Sequence, residues 1–268
     1  MIDIHCHILP AVDDGPANLA ESLDMCRMAR RDGISHIVAT PHANKGCYRN
    51  DDPEEISRQV EKLNRLCSSG LSIYPGADYC LTMDLMSGLG RRKFQTINNR
   101  QYILLEIPDD VVLPNLPDLF FKFQLAGMVP VITHPERNFA VQQDPSKIYH
   151  WVTAGNLIQL TAGSVYGRFG KRVREISLLL IKHHLVHFIA TDAHGIRSRR
   201  PFLKRARLVV EKEAGQETAD LLFSQNPKKA VNGEEIEPDE MGEPEEPGKN
   251  QLWWFLKKIG LTGHPGSS

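Results

Sequence analysis

Between Met1 and His194, short apolar runs end again and again on a histidine or a carboxylate. Residues 1–4 lead into His5-Cys6-His7, residues 36–40 into Pro41-His42, and residues 71–74 into Pro75-Gly76-Ala77-Asp78. Residues 102–105 end on Glu106, residues 129–133 on His134, and residues 188–191 on Asp192-Ala193-His194. Runs of this length, rich in Ile, Val and Leu, read as buried strands. On a strand, side chains two apart share a face, so His5 and His7 point together and Cys6 points away.

Helical segments separate most of these runs. Asn18 caps one that stops at Gly33, and Asp52-Pro53-Glu54-Glu55 opens another that runs towards Gly70. Others cover residues 116–125, 145–152, 171–184, 202–213 and 218–223, and residues 157–160 make one further strand. About seven strands alternating with helices predict a parallel α/β barrel, whose functional residues belong at the C-terminal strand ends. That is where the histidines and carboxylates fall. Outside this pattern, His36, His150, His183, His184, His187 and His264 receive no role.

Five histidines (His5, His7, His42, His134, His194) and four carboxylates (Asp14, Asp78, Glu106, Asp192) exceed the four ligands that one zinc takes. Three ligands per ion would spread them over three divalent cations, whose charge outweighs the carboxylates and attracts phosphate oxygens. Arg137, three residues after His134, and Arg197, Arg199 and Arg200 after His194 are fixed cations suited to gripping a phosphoryl group. A cysteine nucleophile of the tyrosine-phosphatase type needs an arginine six residues on. The residues six after Cys6, Cys26, Cys47, Cys67 and Cys80 are Val12, Asp32, Pro53, Ile73 and Met86, so that chemistry is excluded.

These stretches carry a resemblance. Ile2-Asp3-Ile4-His5-Cys6-His7-Ile8-Leu9-Pro10 with Asp13-Asp14-Gly15, Ala39-Thr40-Pro41-His42, Leu105-Glu106, His134-Pro135-Glu136-Arg137 and Thr191-Asp192-Ala193-His194 resemble one family closely. It is that of the metal-dependent protein-tyrosine phosphatases of bacterial capsule and exopolysaccharide loci, within the polymerase-and-histidinol-phosphatase (PHP) superfamily. The resemblance implies a distorted (β/α)7 TIM-like barrel over residues 1–232 with three Mn, Zn or Fe ions. It implies a metal-bound hydroxide attacking phosphotyrosine on the membrane tyrosine kinase of polysaccharide export. Carried over, His5, His7, Asp78 and Asp192 hold a first ion, Asp78, Glu106 and His134 a second, and Asp14, His42 and His194 a third. Arg137 with Arg200 or Arg199 neutralises the phosphoryl oxygens. The family usually has glutamate where Asp78 stands, and its phosphate-gripping arginine directly precedes a proline, as Arg200 does here. Histidinol-phosphate or nucleic-acid phosphodiester hydrolysis, and a non-catalytic scaffold, are the alternatives on the same residues. Amidohydrolases also open with His-Xaa-His, but usually add a carboxylated lysine where this chain has carboxylates.

Charge and composition bound the partners. Eight of the 33 acidic residues lie between Glu234 and Glu246. Without them, and without Lys249, Lys257 and Lys258, 29 basic residues face 25 acidic ones, an excess too small to imply nucleic-acid binding. Nothing precedes the strand at Met1, so no signal peptide is expected, and no apolar run reaches spanning length. Five scattered cysteines suit a reducing cytoplasm. Residues 233–250, rich in Glu, Asp, Pro and Gly, read as an acidic linker. Residues 251–268, with Trp253, Trp254, Phe255 and Lys257-Lys258, read as an apolar tail. Such a tail docks on its own barrel or a neighbouring subunit, or lies peripherally on a membrane.

Overall fold

The structure is a computed structural model of the chain and describes residues 1–67, 70–82, 85, 93–108, 115–237 and 241–244. The basic stretch at Arg91-Arg92 and the apolar tail at 251–268 lie outside the described residues. The strands are β1 (Ile2–Cys6), β2 (His36–Ala39), β3 (His42–Ala43), β4 (Ser72–Pro75), β5 (Asp78–Cys80), β6 (Tyr102–Glu106), β7 (Val129–Thr133), β8 (Leu157–Thr161) and β9 (Phe188–Ala190). Helices α1 (Leu19–Arg31) and α2 (Pro53–Leu66) start where expected, with the Asn18 side chain accepting from Glu21 N and that of Asp52 from Glu54 N. They are followed by α3 (Leu116–Leu125), α4 (Phe139–Gln143), α5 (Ser146–Thr153), α6 (Ala162–Val165), α7 (Lys171–Lys182), α8 (Lys204–Ala214), α9 (Gln216–Asp220) and α10 (Asn226–Asn232). No helix among the described residues is long and apolar enough to cross a membrane.

Every strand pairing is parallel, as the alternation of strands and helices requires. Among the described residues the strands do not form one continuous seven-membered ring. They make a three-stranded sheet, β1-β2-β4, and a six-stranded sheet, β3-β5-β6-β7-β8-β9. Two of the expected strands are each followed by a further short strand, β3 after β2 across Thr40-Pro41 and β5 after β4 across Gly76-Ala77. At the first of these, Pro41 has no N–H to donate to a neighbouring strand. At the other seam, Asp192 N donates to His5 O (2.8 Å) and His7 N to Ala193 O (2.9 Å), joining the end of β1 to the chain leaving β9.

Strand side chains divide between two apolar clusters. Ile2, Ile4, Val38, Leu104, Val131, Leu157, Phe188 and Ala190 make the inner one, closed at the N-terminal strand ends by Tyr102, Ile97 and Val231. Ile37, Ile73, Ile103, Leu105, Ile132, Ile158 and Ile189 face outwards onto Met25 of α1, Val60 of α2, Phe120 and Phe123 of α3, Ile176 of α7 and Val210 of α8. Each fully buried Leu, Ile or Phe contributes about 1.5–3 kcal/mol. In β6, β7 and β8 the period of two then continues up the strand and changes chemistry at its C-terminal end. Beyond Leu104 the next inward position is Glu106, beyond Val131 it is Thr133, and beyond Leu157 it is Gln159.

Gly76, between β4 and β5, permits a close approach. A Cβ there would stand 2.5 Å from Val38 Cγ1 and 3.2 Å from Thr40 Cγ2. Gly76→Ala is therefore expected to destabilise the fold by about 1–3 kcal/mol. Thermal unfolding should show this as a drop of several degrees in Tm, and an unchanged Tm would mean that β2 and β4 separate freely.

The start of the acidic segment differs from the expected linker. Ile236 is buried in the inner cluster, Gln101 Nε2 donates to Gly233 O, Tyr102 Oη donates to Glu234 O, and Gly242 N donates to His183 O. Ile236 and, further on, Met241 pack against the body here despite the acidity of the segment.

Candidate metal centre

β1 sets the geometry through an irregularity. Ile2 and Ile4 belong to the inner cluster and Cys6 to the outer, so strict alternation would turn His5 outwards. The pairing of β1 with β2 slips between Asp3 and Cys6, and a bulge of this kind re-aims side chains beside a functional site. His5 and His7 consequently face one space, with their Nε2 atoms 3.2 Å apart. His5 Nδ1 donates to Gln159 Oε1 and His7 Nδ1 to Asp13 Oδ2, both at 2.7 Å. Each bond holds its ring in the tautomer whose Nε2 carries a lone pair, the usual support for a metal-ligating histidine. Asp13 also accepts from Gly15 N and His42 N at 2.9 Å, tying three parts of the rim together. Below them, Asp3 accepts from Thr191 N (2.9 Å) and Thr191 Oγ1 (2.5 Å), which locks the chain just before Asp192.

The remaining expected ligands converge on the same space. His42 and Asp78 are cross-strand neighbours, and His42 Nδ1 lies 3.5 Å from Asp78 Oδ2. Asp78 Oδ2 is 3.7 Å from His5 Nε2, while its Oδ1 accepts from Thr133 Oγ1. Asp192 Oδ1 stands 3.6 Å from Nε2 of both His5 and His7, and Asp14 Oδ1 3.4 Å from Nε2 of both His42 and His194. His194 Nδ1 donates to Asp192 O, freeing Nε2, and His134 Nε2 lies 3.8 Å from Glu106 Oε1. All nine residues fall into groups whose ligand atoms lie within 4.8 Å of one another. These are His7 with Asp14, His42 and His194; His5 with His134 and Asp192; His5 with His7 and Asp78; and His42 with Asp78 and Glu106. The grouping differs from the expected sets: His42 sits with Asp78 and Glu106 as well as with Asp14, and His134 with His5 and Asp192.

The donor set fits divalent cations. His42 Nδ1, Asp78 Oδ2, Glu106 Oε2, His134 Nδ1, Asp192 Oδ1 and His194 Nε2 are buried without a hydrogen-bond partner. Orphans of this kind each cost about 1–3 kcal/mol, more when charged, unless something satisfies them. Burial disfavours ionisation of Asp78 and Asp192, but positive charge outweighs it: His5 and His42 pull Asp78 down, and His5 and Arg199 pull Asp192 down. Burial, with neighbouring cationic side chains, holds His7 and His134 well below the usual imidazole range. The His194 ring beside it holds Asp14 at about 2, while burial and then Asp78 push Glu106 up. Asp14, Asp78 and Asp192, held as carboxylates, and His7 and His134, held neutral, are ligand types that hard or borderline divalent ions take.

Of the four candidate arginines, Arg137 and Arg199 reach this centre. Arg137 Nη1 donates to Asp192 Oδ2 at 3.1 Å, and its guanidinium lies 5.2 Å from the Phe169 ring. Arg199 Nε donates to Asp192 O at 3.1 Å and its Nη2 pairs closely with Asp192 Oδ2. Arg200, favoured by its place before Pro201, instead donates to Arg197 O on the exposed side of the loop. The reason is backbone: Arg199 has φ 46°, which turns the chain so that only one of two successive side chains faces inwards. His134 (φ 36°) and Asp192 (φ 50°) share this left-handed conformation, a strain of about 1–3 kcal/mol each that is characteristic of functional sites.

Sequence reasoning missed four supporting residues. Asp13 and Gln159 orient the first two histidines, and Lys45 Nζ donates to Glu106 Oε1 at 2.7 Å while lying 3.3 Å from His42 Nε2. Glu136 Oε1, fully buried, accepts from Thr161 N (3.0 Å) and Ser164 Oγ (2.6 Å), pinning the turn that carries His134 and Arg137 to β8 and α6. The Asp13-Asp14 pair and the run His134-Pro135-Glu136-Arg137 were the only signals for any of them.

Parallel strands whose C-terminal ends carry a buried cluster of imidazoles and carboxylates define an α/β protein with a candidate metal site of several ligands. The chain belongs to the CpsB/CapC family of capsular polysaccharide synthesis, which matches residues 1–232. It is 42% identical over 225 residues to the tyrosine-protein phosphatase YwqE of Bacillus subtilis, covering 83% of this chain and 88% of that protein. It is 37% identical over 209 residues to CapC of Staphylococcus aureus, covering 76% and 80%. The crystal structures of YwqE and of CpsB from Streptococcus pneumoniae are described as those of unique metal-dependent tyrosine phosphatases. A chain from that work superimposes with a TM-score of 0.85 at 39% identity, covering 92% of this chain and 100% of the other.

Proposed function

We propose that this chain is a cytoplasmic, metal-dependent protein-tyrosine phosphatase. In this reading residues 1–232 are the catalytic domain, and the substrate is phosphotyrosine on the membrane tyrosine kinase of polysaccharide export. His5, His7, Asp14, His42, Asp78, Glu106, His134, Asp192 and His194 would hold three divalent ions (Mn, Zn or Fe). The observation that carries the reading is the convergence of buried, unpartnered ligand atoms beside the two inward arginines. Family membership and the activity named for YwqE support it.

When bound, divalent cations supply positive charge for a phosphoryl oxygen and an activated water. The chain's own residues do the rest. Arg137 and Arg199 approach Asp192 from two loops, so both guanidinium groups border the space that an incoming phosphoryl group would enter. There they bind its equatorial oxygens and stabilise the charge that develops on them. Asp13 and Gln159 keep the Nε2 atoms of His7 and His5 aimed at the centre. Cys6 takes no part. It is fully buried in the outer cluster, and burial pushes its thiol well up.

Hydrolysis of a substrate panel by the metal-loaded protein tests the reading: phosphotyrosine peptide, phosphoserine peptide, histidinol phosphate and single-stranded DNA. Phosphotyrosine is expected to turn over fastest. Preference for histidinol phosphate or DNA would reassign the substrate, and turnover of none would make the chain a scaffold. Activity should disappear with a strong chelator and return with Mn²⁺, and Cys6→Ser should keep it. Loss of turnover in Cys6→Ser with metal content intact would overturn the metal-based mechanism.

A further inference from the structure

Two cysteines that the phosphatase reading leaves unused meet between two helices. Cys26 lies on the buried face of α1 and is 4% exposed, while Cys67 caps the C-terminus of α2 and is half-buried. Their sulfurs are 2.9 Å apart, across a sequence separation of 41 residues. Cys67 is held in place by its own backbone, whose N–H donates to Leu63 O at 2.9 Å. A disulfide has an S–S distance of about 2.05 Å, so the two sulfurs need to close by only about 1 Å. The other three cysteines are placed differently: Cys6 and Cys80 are buried, and Cys47 is exposed on the loop after His42.

We propose that Cys26 and Cys67 form a dithiol site that reacts with a small-molecule disulfide and becomes a cross-link between α1 and α2. Cys67, the more accessible of the two, is the entering nucleophile. The hydrogen bond between the two sulfurs, with help from the Arg27 charge, lowers the Cys67 thiol below the ordinary range, while the same bond and burial push Cys26 up. In the first step the Cys67 thiolate attacks one sulfur of the small disulfide, forming a mixed disulfide and expelling one thiolate. In the second step Cys26 loses its proton to solvent and attacks the Cys67 sulfur. The new S–S bond forms as the mixed disulfide breaks, and a second thiolate leaves. The two protein thiols are thus oxidised by two electrons, and the small disulfide is reduced to two thiols. The link joins the helices that follow the Asp14 and His42 loops, so it stiffens the scaffold behind the site without covering it.

The test uses the full-length, metal-loaded protein incubated with oxidised glutathione, alkylated, digested without reduction and mapped by mass spectrometry. The expected product joins the Cys26 and Cys67 peptides, leaves three of the five thiols alkylated, and reverts with dithiothreitol. A cross-link spanning 41 residues should raise Tm by about 5–10 °C. Hydrolysis of a small aryl phosphate should stay within about twofold of the reduced protein. Cys67→Ser and Cys26→Ser should each abolish the Tm shift. The peptide map needs no variant: full alkylation of both thiols, a glutathione adduct that persists on Cys67, or a cross-link through Cys47 would each overturn the proposal. So would a Cys26–Cys67 link that leaves Tm unchanged.

Discussion

Asp78→Asn is expected to cut phosphotyrosine-peptide turnover by at least about 10²-fold and to lower the number of metal ions retained. Asp78 is the residue shared between the His5–His7 group and the His42–Glu106 group, so its loss strikes two groups together. Its Oδ1 is engaged by Thr133, which leaves a single oxygen, Oδ2, facing His5 and His42. Asparagine would keep the shape but remove the charge and present an amide to the centre. Loss of one outer supporting partner of a metal ligand typically costs 10–100-fold, and loss of a shared ligand should cost more. Asp78→Glu, which restores the residue usual in the family, should stay substantially active. Metal analysis beside steady-state kinetics checks both variants; a fully active Asp78→Asn enzyme with normal metal content would remove Asp78 from the site.

Arg199→Ala is expected to lower kcat by about 10²–10³-fold with metal content unchanged, and Arg137→Ala to behave similarly. Arg200→Ala should stay within about twofold of the unsubstituted enzyme. The distinction rests on geometry: Arg137 and Arg199 both contact Asp192 Oδ2, whereas Arg200 donates to Arg197 O. Because the two inward arginines share one carboxylate, the double variant should lose less than the product of the single losses. Equal losses in Arg199→Ala and Arg200→Ala, or a drop in bound metal with either, would contradict this assignment.

The placement of the nine candidate ligands was legible because it follows local rules. Two-residue spacing relates His5 to His7, and a βα series puts Asp78, Glu106, His134 and Asp192 at one end of parallel strands whatever the loops do. Relations within the cluster were not legible in the same way. The slip in β1 between Asp3 and Cys6 reverses which face His5 occupies relative to Ile4, and no local pattern marks it. The partition of ligands also moved, because His42 and Asp78 become cross-strand partners only when the short strands β3 and β5 pair.

Strand–helix alternation, the chemistry at each strand end, the lack of a cysteine-nucleophile motif and the family can all be read along the chain. These depend on residue type and on spacing along a few residues of chain. Only the folded chain shows that Gln159 supports His5 across 154 positions, that Lys45 meets Glu106, that Arg199 faces inwards, and that Cys26 touches Cys67. Such contacts depend on strand register, on left-handed turns at single residues and on how two helices lie against one sheet. Those quantities are set by the packing of the whole chain, so no short stretch of it records them.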